Sequence, residues 1–135
     1  MAGYSKTPLA QKLGIKPGAE VVLLGAPSGY RKSLAPLPEK VSFTDKTKQG
    51  ARFVHLFATE RRVLEKQLKR LRGMIDDAGV VWISWPKKAS GVATDITEDM
   101  IRDVCLPLGF VDVKVCAVDE TWSGLKLMIR RENRK

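Results

Sequence analysis

The stretch Val80-Val81-Trp82-Ile83-Ser84-Trp85-Pro86-Lys87-Lys88-Ala89-Ser90-Gly91-Val92-Ala93-Thr94-Asp95-Ile96-Thr97-Glu98 decides how the rest of the chain is read. The apolar run from Val80 to Trp85 predicts a strand buried on both faces, as in the middle of a parallel sheet. Pro86 cannot donate to a ladder and ends it, and two lysines follow at once. A loop of small residues, Ala89 to Ala93, leads into a helix expected from Ile96 to Leu106. Asp95 is the expected cap of that helix, with Glu98 reaching back three residues later. Strand, cationic loop and capped helix is how an open α/β sheet presents a site at a strand's carboxyl end.

Upstream, Thr7 and Pro8 start a short helix that Gly14 ends, and Gly3-Tyr4-Ser5-Lys6 opens the domain. Glu20 to Gly25 reads as a first buried strand, followed by the loop Ala26-Pro27-Ser28-Gly29-Tyr30. That loop lacks both the G-x-G-x-x-G and the Walker endings, so a tight strand-to-helix turn is preferred to a phosphate cradle. A short helix fits within Arg31 to Leu37, and Val41 to Thr44 reads as a weak second strand. Asp45 to Gly50 is polar and reads as a loop, for which the sequence carries no strong functional claim.

Ala51 to Ala58 predicts a third strand, in which His55 reads as a hydrogen-bonded core histidine. A helix is expected from Glu60 to Ala78, capped by Thr59 and stopped by Gly79. Val63, Leu64, Gln67, Leu68, Leu71, Met74, Ile75 and Ala78 share one, mainly apolar arc, and the opposite arc is basic. Near the end, Val111 to Val118 alternates, placing Val111, Val113, Val115 and Ala117 on one face. Asp119 to Gly124 reads as a hairpin loop and Leu125 to Arg130 as the antiparallel return strand.

The predicted fold class is α/β, a Rossmann-like three-layer sandwich: a mostly parallel sheet with a C-terminal antiparallel hairpin, in a single domain over residues 1–135. The loops after Leu24, Ala58 and Trp85 and the hairpin turn then gather on the carboxyl edge, where ligands bind in such sheets. The candidate ligand-binding residues on that edge are Tyr30, Lys87, Lys88, Ser90, Asp95, Asp119, Glu120, Trp122 and Ser123. Lys87 and Lys88 suit an anionic group, and Trp122 or Tyr30 a flat one. Alternatively Asp119 or Glu120 pairs with Lys87 or Lys88 to hold the rim together, and Trp122 covers the core. No catalytic residue and no cofactor are assigned.

The net charge of +9 favours an acidic partner: a small anionic ligand or nucleic acid. For nucleic acid the candidates are Arg62, Lys66, Lys69 and Arg70 on the basic helix face; a solvated outer face gives the same pattern. Cys105, Cys116 and His55 lack metal-ligand spacing, so no metal site is expected and both cysteines are assigned to the core. No apolar run has the length of a membrane helix, which with the absence of a signal-type N-terminus predicts a cytoplasmic location.

At Gly3 to Leu9, Lys12 to Gly18, Trp85 to Asp95 and Val111 to Leu125 the chain resembles a bacterial family of unknown function. Its members carry G-Y-S-x-T-P-L, K-L-G-I-K-x-G, W-P-K-K-x-S-G-V-x-T-D and V-D-V-K-V-C-A-V-D-E-T-W-S-G-L. That resemblance implies no activity. More distantly, Leu13 to Gly25 is similar to the run entering the first strand of class I methyltransferases, whose edge hairpin resembles Val111 to Arg130. This second likeness implies their scaffold and, in an enzymatic variant, S-adenosylmethionine. There are two departures: Pro27 interrupts the glycine loop that would hold that cofactor, and the second half of the usual sheet is too short. A non-enzymatic module binding a small anionic ligand is therefore the leading expectation. Nucleic-acid binding and a degenerate methyltransferase-like enzyme are the alternatives.

Overall fold

The computed structural model describes residues 7–134. The opening segment Gly3 to Lys6, with its part of the first family motif, lies outside the described residues. Six strands form one sheet in the order β2-β1-β3-β4-β6-β5. These are β1 (Glu20–Leu24), β2 (Ser42–Thr44), β3 (Ala51–Phe57), β4 (Ile75–Pro86), β5 (Phe110–Ala117) and β6 (Trp122–Ile129). The first four pair in parallel, and β6 runs antiparallel to both β4 and β5. Consequently β5 runs in the same direction as β1 to β4, and the β5–β6 turn lies on their carboxyl edge.

Helices cover both faces, which is why the central strands carry apolar side chains on each. On one face α3 (Arg61–Arg72) and α4 (Glu98–Cys105) bury Leu64, Leu68, Leu71 and Ile101 against Val54, Leu56, Val81, Ile83 and Leu127. On the other, α1 (Leu9–Leu13) and the single turn α2 (Tyr30–Ser33) bury Leu13, Tyr30 and Leu34 with Phe53, Phe57 and Trp82. Trp82 is fully enclosed, and its indole Nε1 donates to the Leu13 carbonyl at 2.8 Å, fastening α1 to the sheet.

Five local expectations are corrected. The long helix ends at Arg72, not Ala78, and β4 begins at Ile75, pairing with Ala51. Ile75 and Ala78 fit a helical arc, yet Gly73 and the carboxylates Asp76 and Asp77 would sit badly at a helix C-terminus, where negative charge opposes the dipole. Pairing with β3 decides the matter. The hairpin turn is shorter than expected, because Trp122, Ser123 and Gly124 already belong to β6. Alternation along β5 is broken by a register shift between Asp112 and Lys114, which leaves Val113 and Val115 half exposed on an edge strand. Cys105 is buried, but Cys116 is only partly so.

The fifth correction concerns caps. Thr97, not Asp95, caps α4, its side chain accepting from the Met100 amide. Asp95 instead accepts from the Arg61 amide at 2.6 Å, at the start of α3, whose own Glu60 provides no side-chain cap. A carboxylate borrowed from a distant loop thus satisfies an amide that helix geometry leaves open. Asp95→Ala should lower stability by about 1 kcal/mol and speed hydrogen exchange at Arg61 selectively. Unchanged exchange there would show that the contact contributes nothing.

Candidate functional site on the carboxyl edge

The loops that leave β1, β3 and β4 and the β5–β6 turn all open on one edge, as the parallel register requires. Pro86 pairs with Trp122 and Trp85 with Ser123, so the two-lysine segment and the tryptophan hairpin are neighbours on this rim. The Lys87 amide donates to the Thr121 carbonyl at 2.7 Å and closes the gap between them. Across the sheet, the Thr94 hydroxyl donates to the Thr59 carbonyl at 2.7 Å.

Several residues expected to face a ligand are occupied within the protein. Asp119 Oδ1 accepts from the Thr121 and Trp122 amides, both at 2.8 Å, and so shapes the turn rather than pairing with a lysine. The Ser90 hydroxyl donates to the Lys87 carbonyl at 2.6 Å, and Asp95 holds α3. Ser123 lies in β6, partly buried. Trp122 is partly buried and meets Phe57 edge to face at 5.1 Å, covering the core. Lys87, Lys88 and Glu120 have side-chain heads with no ion pair among the described residues, Lys88 and Glu120 being exposed.

Tyr30 departs furthest from its expected place. It is buried as the first residue of α2, where its hydroxyl lies 2.5 Å from His55 Nδ1. His55 Nε2 lies 2.7 Å from the Ser84 hydroxyl, and all three side chains are at most 4% exposed. A neutral imidazole donates from one nitrogen and accepts at the other, so this chain of contacts suits an uncharged ring. Burial lowers the His55 pKa to about 3, and burial chiefly, with Cys116 nearby, raises that of Tyr30. His55 also stacks on Phe57 at 4.3 Å. His55 is thus a hydrogen-bonded core histidine, the assignment its isolation in the sequence favours.

The loop after β1 is pinned closely. Gly25 has φ +71°, and a Cβ there would stand 2.7 Å from the Phe57 carbonyl oxygen, so only glycine fits. Beyond it, Leu23, Arg31, Phe43, Thr44 and Asp45 line an open groove of about 380 Å³ where β1 and β2 end. The Arg31 guanidinium lies 4.4 Å from the centre of the Phe43 ring. Asp45 is exposed at this groove, twenty residues after Gly25. The sequence signal for it was that spacing, because an acidic residue about 20 positions past the first glycine binds ribose hydroxyls in dinucleotide-binding folds. Without the full glycine pattern it reads as an ordinary polar loop.

On the outer face of α3, Arg61 pairs with Glu65 and Arg62 with Glu60. Lys66, Lys69 and Arg70 are exposed, with only Gln67 bonded to Arg70, at 3.3 Å. Partial neutralisation makes this face less cationic than its sequence suggests. Among the described residues no group of three or more His, Cys, Asp or Glu is placed to hold a metal ion. No described helix is long and apolar enough to cross a membrane.

No protein-family model matches the chain and no curated protein matches its sequence, so the motif resemblance stands on its quoted residues alone. Solved structures are similar in fold. A Sulfolobus solfataricus protein assigned as a type 11 methyltransferase superposes with a TM-score of 0.67 at 13% identity, covering 94% of this chain and 92% of that one. A Methanococcus jannaschii fibrillarin, a pre-rRNA processing protein, gives 0.60 at 11% identity over 94% of this chain and 70% of its own. An Aeropyrum pernix fibrillarin with natively bound S-adenosyl-L-methionine gives 0.58 at 12% identity, over 93% and 70%. The chain therefore has the Rossmann-like fold seen in methyltransferases, in agreement with the scaffold likeness read from its sequence. Identities this low show the fold and nothing finer.

Proposed function

We propose that this protein binds a ribose-bearing ligand of the S-adenosylmethionine kind on the carboxyl edge, where β1 and β2 end. The observation that carries the proposal is the groove at that point, with the Asp45 carboxylate at its mouth and the Phe43 ring in its wall. A carboxylate can accept from two vicinal hydroxyls, and an aromatic face can meet a base once Arg31 swings aside. The fold likeness to methyltransferases supports this over the leading expectation from sequence, a non-enzymatic anion-binding module. Pro27 remains a departure, and the Gly25 to Gly29 loop would have to meet the ligand through a different backbone shape.

Thermal denaturation with S-adenosylmethionine tests the proposal. At a hundredfold excess over Kd the ligand adds ~2.7 kcal/mol, raising Tm by roughly 8 °C or more. Asp45→Ala should weaken binding about tenfold or more, since bonds to a charged group contribute ~1.5–3 kcal/mol. No shift at high ligand concentration would sink the proposal.

A second reading keeps Lys87 and Lys88 as an anion site beside Trp122. The unpaired ammonium groups on a loop fixed by the Lys87–Thr121 hydrogen bond favour it. In the same experiment, loss of the shift in Lys87→Glu/Lys88→Glu with Asp45→Ala unaffected would move the ligand to that end of the edge. Nucleic-acid binding through Arg62, Lys66, Lys69 and Arg70 has less support, because Arg62 is already paired.

A further inference from the structure

The opposite, amino edge of the sheet carries a larger cavity than the groove at Asp45, about 520 Å³. Its floor is the first regular β3–β4 pair, Phe53 and Val80, flanked by Ala19 and Ala51. Beside the cavity the ladder is irregular: Ala51 pairs with Ile75 but Phe53 with Val80, so residues 76–79 of β4 bulge without a partner on β3. Two fixed turns form its walls. The Gly18 amide donates to the Glu39 carbonyl at 2.8 Å and the Gly50 amide to the Met74 carbonyl at 2.7 Å.

Three cations, Lys16, Lys48 and Arg52, and one carboxylate, Glu20, stand among the lining residues. Glu20 is already held by Lys48 at 2.7 Å. Arg52 reaches Asp76 only at 4.0 Å from an exposed position, and Lys16 has no ion pair among the described residues. An apolar floor of this size with a few charged groups at its rim is the usual composition of a small-molecule site. Its charge selects the ligand: one unpaired lysine and one loosely held arginine complement a single anionic group, while Phe53 and Val80 complement an apolar body.

We infer that this amino-edge cavity binds an organic anion, a carboxylate or sulfonate carried on an aliphatic or aromatic body. The site is separate from the carboxyl edge and independent of any ligand there. Anilinonaphthalene sulfonate is a suitable probe, used with the full chain at neutral pH. Its fluorescence should rise with a single saturable phase. Lys16→Glu/Arg52→Glu, both surface changes, should raise its Kd roughly tenfold or more with Tm little changed. Decanoate should displace the dye and S-adenosylmethionine should not. An absent fluorescence rise, a Kd unaffected by the double charge reversal, or displacement by S-adenosylmethionine in place of decanoate would each overturn the assignment.

Discussion

Trp82→Ala should destabilise the protein by about 3–5 kcal/mol, the scale for emptying a large aromatic site in a core that relaxes only partly. Trp82 has 0% exposure on the central strand β4, and its neighbours come from α1 and the sheet at once. Gly124 gives a measure of how tightly it is held: a Cβ there would meet Trp82 Cε3 at 3.3 Å. Alanine would also leave the Leu13 carbonyl without its donor, adding a desolvation penalty of ~1–3 kcal/mol where water cannot enter. Trp82→Phe separates the two effects, since it retains most of the volume and loses only the hydrogen bond. Urea denaturation of the three proteins measures both. A loss below about 2 kcal/mol for alanine would mean that α1 is not fastened through this residue.

Acid should weaken the fold through His55 well before the carboxylates titrate. Its folded pKa, about 3, lies below the ordinary value of 6.5 because burial excludes the charged ring. As pH falls below about 6.5 the unfolded chain takes up a proton that the folded one refuses, so stability falls with falling pH. The slope is about 1.4 kcal/mol per pH unit and continues toward the folded pKa. By pH 4 the loss approaches ~3 kcal/mol, a large share of the stability of an ordinary domain. Protonation would also put a hydrogen on both ring nitrogens, so that Tyr30 and Ser84 could each only accept. His55→Gln should be less stable at pH 7 but flatter between pH 6.5 and 4.5. Parallel profiles for the two proteins in that window would remove His55 as the cause.

These two residues differ in how much of their role the sequence discloses. His55 could be placed in the core because no nucleophile or carboxylate motif lay near it. Its partners, however, come 25 residues before it and 29 after it, from the first residue of α2 and from β4. In the sequence Tyr30 looks like a loop aromatic next to Gly29 until that pairing is seen. Its hydroxyl needs a buried acceptor, and only the assembled sheet provides one.

The chain by itself determined the strands that are apolar on both sides, the break at Pro86 and the common direction of β1, β3 and β4. Each depends on neighbours in sequence: a run without alternation, a residue that cannot donate, and connections long enough to cross over. Tertiary structure alone decided the start of β4, where Ile75 gains a partner in Ala51 that no helical arc could match. It alone gave Asp95 to α3 and brought Asp45 to the mouth of a groove beside Phe43. A side chain satisfies whichever unpaired group the fold brings within reach, and that choice is made by residues far apart in sequence.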